Sequence, residues 1–200
     1  MSPSRQADGS IVFKIVYVGP SLAGKTTAVE YLYNEENIAV GKLVSIKGGS
    51  GSKGAMGKFG GFFDRMMAKV GNITFQIYTV AGMKQHKQLR KVILKGVDGL
   101  VFVWDSQKAV WKKNIAAVNE LISLFKSKLL KMPFIVMVNK IDLPGGVKPE
   151  DVQEVLSKAK LKNATVLESI AINGKNIRRA FDLCAKSVLR NYLDQKKGKK

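Results

Sequence analysis

Two kinds of hydrophobic pattern alternate along the chain. Residues 10–19, "SIVFKIVYVG", and 72–80, "NITFQIYTV", are β-branched and aromatic runs that end in glycine or lead to it. "GLVFVWDS" (99–106) and "MPFIVMVNK" (132–140) are almost continuously apolar, as strands covered on both faces require. "NATVLESIA" (163–171) predicts a last strand. Between these lie segments of helical period. "KTTAVEYLYNEE" (25–36) follows the first strand, and Pro149 opens a short helix, "PEDVQEVLSKA". Trp111, Ile115, Val118, Ile122, Phe125 and Leu129 recur at helical spacing, as do Ile177, Phe181, Cys184 and Val188. Both stripes read as core, and Trp104 on its central strand reads as packing. Strand–helix alternation predicts an α/β fold with a mostly parallel, doubly wound sheet of about six strands and helices on both faces. Ligands of such sheets sit beyond the C-terminal strand ends.

One stretch breaks the alternation. Residues 38–61, "IAVGKLVSIKGGSGSKGAMGKFGG", are rich in glycine, serine and lysine. Glycine contributes no side chain to a core and loses the most backbone entropy on ordering. A long loop inside a compact domain is more often functional than idle. Residues 11–193 are expected to form one domain, flanked by a disordered tail over 1–10 and a basic tail over 194–200.

Composition adds constraints. At 200 residues and 46% hydrophobic content the chain supports one full core. A single cysteine, Cys184, excludes an intramolecular disulfide framework and suits a reducing compartment. No charged-then-apolar leader opens the chain and no apolar run reaches the length of a membrane span, so a cytoplasmic location is expected. The net charge of +19 favours acidic partners, although it is spread along the chain and concentrates only in "DQKKGKK". Lys196, Lys197, Lys199 and Lys200 are expected beyond the last helix. They suit weak, salt-sensitive contact with an anionic membrane surface; no lipidation signal accompanies them.

The chemistry begins at "GPSLAGKTT", residues 19–27, which matches G-x-x-x-x-G-K-[ST] between a strand and a helix. Gly19 and Gly24 permit a tight loop. Backbone N–H groups of Leu22, Ala23, Gly24, Lys25, Thr26 and Thr27 can then face phosphate oxygens at a helix N-terminus. Lys25 suits the β- and γ-phosphates, and the Thr26 hydroxyl suits Mg²⁺. "NKID", residues 139–142, directly follows another strand. Asp142 offers two acceptors to guanine N1–H and its 2-amino group, a pair that adenine lacks. Asn139 can bridge to the phosphate loop, and the Lys140 stem can cover the purine face. Ala171 and Ile172 in "SIAING" would direct backbone N–H groups at guanine O6.

These segments, with "YTVAG", "LRKVILKGVDGLVFVWDSQ", "NKIDLP" and "INGKNI", resemble a Ras-superfamily small GTPase, and within it the prokaryotic MglA-like branch. The resemblance covers roughly residues 11–190. It implies a switch that binds GDP and GTP with Mg²⁺, the first switch over about 38–61 and the second over about 79–90. It also implies slow GTP hydrolysis accelerated by a partner, which in that branch is a roadblock-type homodimer. Lys25, Thr26 and Gly82 are the catalytic positions that match the family pattern.

Several positions depart from it. Thr79 stands where most members have an Mg²⁺-directed aspartate; the resemblance to the MglA-like branch, which typically carries threonine there, accounts for it. Met83 stands in the place of a water-orienting glutamine, Gly60 in that of the switch threonine, Phe59 in that of an arginine and Ser21 in that of a glycine. Ser45, Ser50 and Ser52 are the hydroxyl alternatives in the first switch; Gln85 and Gln88 are off-register for the glutamine. His86 reads as a surface residue. Losing groups that stabilise charge in phosphoryl transfer costs on the order of 10³-fold in rate. Hydrolysis should be feeble unless a partner supplies what is missing. Two other readings remain: a GTP-binding scaffold without hydrolysis, and an RNA- or ribosome-associated GTPase. Against the latter, no RNA-binding module is visible, and no specific nucleic acid is expected.

Overall fold

The computed structural model describes residues 4–5, 11–46, 63–70, 72–82 and 87–197. Eight strands form one sheet. In chain order they are β1 (Ser4–Arg5), β2 (Ile11–Val18), β3 (Ala39–Ile46), β4 (Phe63–Val70), β5 (Ile73–Thr79), β6 (Gly99–Asp105), β7 (Phe134–Asn139) and β8 (Ala164–Ser169). Across the sheet the order is β3-β4-β5-β2-β6-β7-β8, with β1 antiparallel to β2. The five strands β5, β2, β6, β7 and β8 are mutually parallel. β4 and β3 extend the sheet as an antiparallel flap.

Among the described residues five α-helices cover the two faces: α1 (Lys25–Glu35), α2 (Lys87–Leu94), α3 (Trp111–Phe125), α4 (Pro149–Lys158) and α5 (Ile177–Lys197). Ala28, Val29 and Leu32 of α1 join Ile177, Phe181, Cys184 and Val188 of α5 in one core, against Phe13, Ile15, Phe75 and Ile77. Ile93 and Leu94 of α2, Val118 and Leu121 of α3, and Val152 and Leu156 of α4 form the other, against Val16, Leu100, Phe102 and Val136. Both helical stripes thus do the packing their spacing implied. Every residue of β6 and of β7 is buried, which is why neither alternates in polarity. Trp104 is fully buried and meets the Trp111 ring edge-on at 5.2 Å.

The doubly wound architecture is as expected, but the sheet is wider. Residues 39–46 were read as part of a loop and form the edge strand β3. Its alternation is broken by a register shift between Val40 and Val44, which hid it. Residues 47–62 of that segment lie outside the described residues. The N-terminal segment expected to be disordered contains β1, and Lys196 and Lys197 lie in the last turn of α5 rather than beyond it. The last turn of α5 is exposed, and in it the Lys196 ammonium lies 4.9 Å from the Tyr192 ring centre, one turn back along the same helix. Lys199 and Lys200 are outside the described residues. No helix among those described is long and apolar enough to cross a membrane.

Candidate nucleotide site

Five strand ends converge at one edge of the sheet. β2 delivers Gly19, β5 delivers Val80–Gly82, β6 delivers Asp105 and Ser106, β7 delivers Asn139 and Lys140, and β8 delivers Ser169–Ala171. The loop after β2 turns into α1 through Gly24, whose φ of 101° few side chains tolerate. A Cβ there would also sit 2.3 Å from the Asn139 amide nitrogen. No side chain caps α1, and its first turn holds no acidic residue. Its leading N–H groups are therefore left to whatever enters the loop, and they favour an anion. Leu22 is held at φ 65°, a left-handed conformation that is costly for a branched side chain, and stands 67% exposed.

Lys25 is buried beneath this loop. Its Nζ donates to the carbonyls of Gly19 (3.1 Å) and Pro20 (2.6 Å). Burial pushes its pKa down to about 8; the nearby Arg90 and Lys140 charges act in the same direction, and Asp64 opposes them. A base lowered on folding favours its neutral form, so the free protein sheds this proton as pH rises through 8. A polyphosphate stabilises the ammonium and must recover the proton above that pH. GDP affinity should therefore fall toward tenfold per unit above pH 8. Titration calorimetry at pH 8.5–9 in buffers of different ionisation heat should register uptake of most of one proton, absent in Lys25→Ala. No uptake in the wild type would contradict this assignment.

Thr26, the next residue, meets an unexpected partner. Its Oγ1 donates to Asp64 Oδ2 at 2.7 Å. Thr79 Oγ1 donates to the same oxygen at 2.8 Å and accepts from the Asp64 backbone N–H at 2.8 Å. Asp64 is 1% exposed and Thr79 is 3% exposed. Asp64 lies on β4, one step beyond the Arg65–Tyr78 pair of the β4–β5 ladder, so it faces Thr79 across the strands. The carboxylate absent from position 79 thus arrives from the neighbouring strand.

The far side of the loop is pinned by Asn139, which is 2% exposed. Its Nδ2 donates to Ala23 O at 2.8 Å. Its Oδ1 accepts from Ala171 N at 2.9 Å and from Ser169 Oγ at 3.3 Å. One side chain therefore ties β7 to both the loop and the β8 turn. Lys140 takes a left-handed φ of 65° and its ammonium pairs with buried Asp105 at 2.6 Å. That pair fixes the direction of the lysine stem. Asp142 and Ile172 lie on the exposed rim, Ile172 at 76% exposure, and the Asp142 carboxylate has no bond among the described residues.

The turn after β5 presses on the loop. A Cβ on Gly82 would fall 2.3 Å from Ser21 N and 2.4 Å from the Pro20 carbonyl carbon. Arg90 holds this turn: Nη1 donates to Ala81 O at 2.7 Å, while Nε and Nη2 clasp the Glu120 carboxylate at 3.0–3.1 Å. Met83, Gln85 and His86 lie outside the described residues, as do Phe59, Gly60, Ser50 and Ser52. Gln88 is exposed on α2, and Ser45 lies on β3.

Residues 60–188 match the ADP-ribosylation factor family. The chain belongs to this family of small GTPases. It is 35% identical over 185 residues to the mutual gliding-motility protein MglA of Myxococcus xanthus, covering 88% of this chain and 90% of that one. It is 28% identical to human ADP-ribosylation factor-like protein 4D over 64% of this chain and 65% of the relative. Its fold resembles the Arl6 BBS3 small GTPase of Trypanosoma brucei, solved with the nucleotide analogue GppNp. The TM-score is 0.66 at 17% identity, over 90% of this chain and 99% of that one. As a small GTPase it is a GTP-binding switch and a GTP hydrolase, in a family regulated by partner proteins.

Asp64 and Arg90 were missed in the sequence. For Asp64 a signal existed: in "FDRMMAKV" the period-2 face Asp64, Met66, Ala68 is buried and Arg65 and Lys69 are exposed, so an aspartate falls on the inner face of a strand. A buried aspartate needs partners. Reading 38–61 as one long loop drew attention away from that strand.

Proposed function

We propose that this GTPase binds GDP and GTP as Mg²⁺ complexes, with Asp64 and Thr26 as the metal-facing pair, and hydrolyses GTP slowly until a protein partner completes the site. The observation that carries this is the Thr26–Asp64–Thr79 cluster at the open N-terminus of α1. A buried carboxylate oxygen with two hydroxyl oxygens is a hard donor set suited to Mg²⁺. Bound Mg²⁺ would supply charge neutralisation to the phosphate oxygens it touches. The chain's own residues do the rest. The α1 N–H groups and Lys25 hold the phosphates, and Asn139 keeps the loop in register with the β8 turn. Asp142 selects guanine, with the Lys140 stem and the Ala171–Ile172 backbone completing the base site. Gly82 brings the second switch against the loop.

Water activation is where the chain is poor. Methionine at position 83 has no donor and only a weak thioether acceptor for a water, so the missing group is one a partner must bring or reposition. A roadblock-type homodimer fits this need by likeness to MglA. Contact with an anionic membrane through the tail lysines is a weaker accessory, reversed by salt.

Competition and single-turnover experiments test this reading. ATP should fail to displace labelled GDP at concentrations where GTP displaces it fully; equal displacement would sink the guanine assignment. Single-turnover hydrolysis at saturating Mg²⁺ should be slower than in small GTPases that keep the glutamine. Met83→Gln should raise the rate about tenfold or more. A wild-type rate already high, and unmoved by the substitution, would mean that another residue orients the water.

A further inference from the structure

The last residues paired between β6 and β7 are Asp105 and Asn139, so Asp105 ends its strand beside the turn that carries Asp142. Its side chain is 2% exposed, and both carboxylate oxygens are used. Oδ1 accepts from the Gln107 N–H at 3.0 Å, and Oδ2 holds the Lys140 ammonium at 2.6 Å. From behind, α3 fixes the aspartate through Asn114, which is fully buried. Asn114 Oδ1 accepts from the Asp105 N–H at 3.1 Å, and its Nδ2 donates to the Asp105 carbonyl at 2.8 Å. Ser106 then fastens the turn at both ends. Its N–H donates to the Asn139 carbonyl at 3.0 Å and its Oγ to the Lys140 carbonyl at 2.9 Å, while its own carbonyl accepts from Val147 N at 2.8 Å. In the middle of this fastened turn Asp142 stands exposed, its carboxylate without a bond among the described residues.

We infer that Asp105 is a positioning residue for guanine recognition: by sequestering the Lys140 ammonium it keeps the Asp142 carboxylate free for the base. The inference rests on the reading of Asp142 as the group that selects guanine. Lys140 and Asp142 lie two residues apart in one turn and carry opposite charges. A lysine has a flexible four-carbon stem, long enough to reach a carboxylate at that separation. An Asp142 carboxylate already holding an ammonium would have to give up that contact before accepting from N1–H and the 2-amino group, which lowers affinity for the base. Asp105 removes the competitor. Its attraction for the ammonium is less screened than that of the exposed Asp142, and Asn114 sets its position in advance. A second consequence concerns the stem. With its end anchored, the Lys140 chain has few rotamers left to lose when a purine lies against its methylenes. Helix α3 thus reaches the base site through Asn114, Asp105 and Lys140, although Asn114 and Asp105 do not touch the base themselves.

The test compares GDP with inosine diphosphate, which keeps N1–H and O6 but lacks the 2-amino group. Both compete with a labelled GDP for the full chain in the presence of Mg²⁺. Their affinity ratio reports how far Asp142 engages the base, and a loss of fold stability alone does not move it. Asp105→Asn keeps the size and the acceptor for the Gln107 N–H but releases the lysine. It should weaken GDP about tenfold or more and shrink the ratio about threefold or more. Adding Lys140→Met removes the ammonium and keeps an unbranched stem. The double variant should recover about half or more of the lost ratio, because removing both charges leaves neither unpaired. Lys140→Met alone should weaken both diphosphates alike and keep the ratio. Wild-type affinity and ratio in Asp105→Asn overturn the inference. So does lost affinity at an unchanged ratio, or a defect that Lys140→Met does not relieve, either of which makes Asp105 a strut of the β6 end. Should Asp105→Asn fail to fold, as judged by circular dichroism, Lys140→Met decides. A ratio that holds in that variant supports sequestration, and one that collapses shows the ammonium itself serving the base and overturns it. ADP competing as well as GDP on the wild type overturns the guanine reading of Asp142 and this inference with it; in the other failures that reading stands.

Discussion

Asp64→Ala makes nucleotide release indifferent to Mg²⁺: that is the expected result of the substitution with the largest effect. In the wild type, chelating the metal should accelerate release of a labelled GDP or GTP analogue by two or more orders of magnitude, because hard-ion contacts to carboxylate and phosphate are lost together. In Asp64→Ala, release with Mg²⁺ present should already run at the chelated rate, and hydrolysis should fall by about 10²-fold or more. The side chain also opposes the forces that drive Lys25 toward neutrality, so its removal should lower the Lys25 pKa further. Asp64→Asn keeps the shape and can still hydrogen-bond Thr26 and Thr79, which separates charge from packing. If the asparagine variant retains wild-type Mg²⁺ sensitivity, Asp64 is a structural strut and not the metal-facing carboxylate. Thr79→Asp puts a second carboxylate beside the first. It should destabilise the free protein, since two buried like charges share one site.

Asn139→Ala should produce the second large effect, through geometry rather than charge. The substitution strands the Ala23 carbonyl and the Ala171 N–H, both buried partners of one amide. Each unsatisfied group costs about 1–3 kcal/mol. Because these bonds hold the phosphate loop to the β8 turn, the cost should appear as lost nucleotide affinity as well as lost stability. About 10²-fold or more in GDP affinity is expected, at 1.4 kcal/mol per tenfold. The unfolding midpoint of nucleotide-bound protein should fall further than that of the free protein, because bound-state stability includes the binding term. Asn139→Asp preserves the acceptor to Ala171 but loses the donor to Ala23. A variant with intact GDP affinity and a lowered midpoint in both states would place Asn139 in the scaffold alone.

Much of the molecule could be read from the chain. Continuous apolar runs identified β6 and β7 because burial on both faces removes any reason for alternation. Helical stripes identified the core faces of α3 and α5. The tetrad at 139–142 and the loop at 19–27 stood out because phosphate and guanine chemistry would demand particular residues at short spacing, and the structure brings the two together through Asn139. Each of those signals is local, and each lies within one element and its turn.

Tertiary structure decided what depends on distant pairing. The edge strand β3 owes its existence to β4, since neither a bulged edge nor a glycine-rich flank has a period to read. Position 79 looked like a site short of a carboxylate, and in sequence it is. The ladder between β4 and β5 sets Asp64, fifteen residues upstream, against Thr79 and Thr26. Nothing local in the sequence sets Arg90 apart in a chain of net charge +19. Only the packing of α2 against α3 buries it on Glu120 and Ala81 O. A sequence specifies which groups are available over a few residues. Strand register and helix packing decide which of them share a cavity, because antiparallel pairing and helix docking bring together residues that no local period connects.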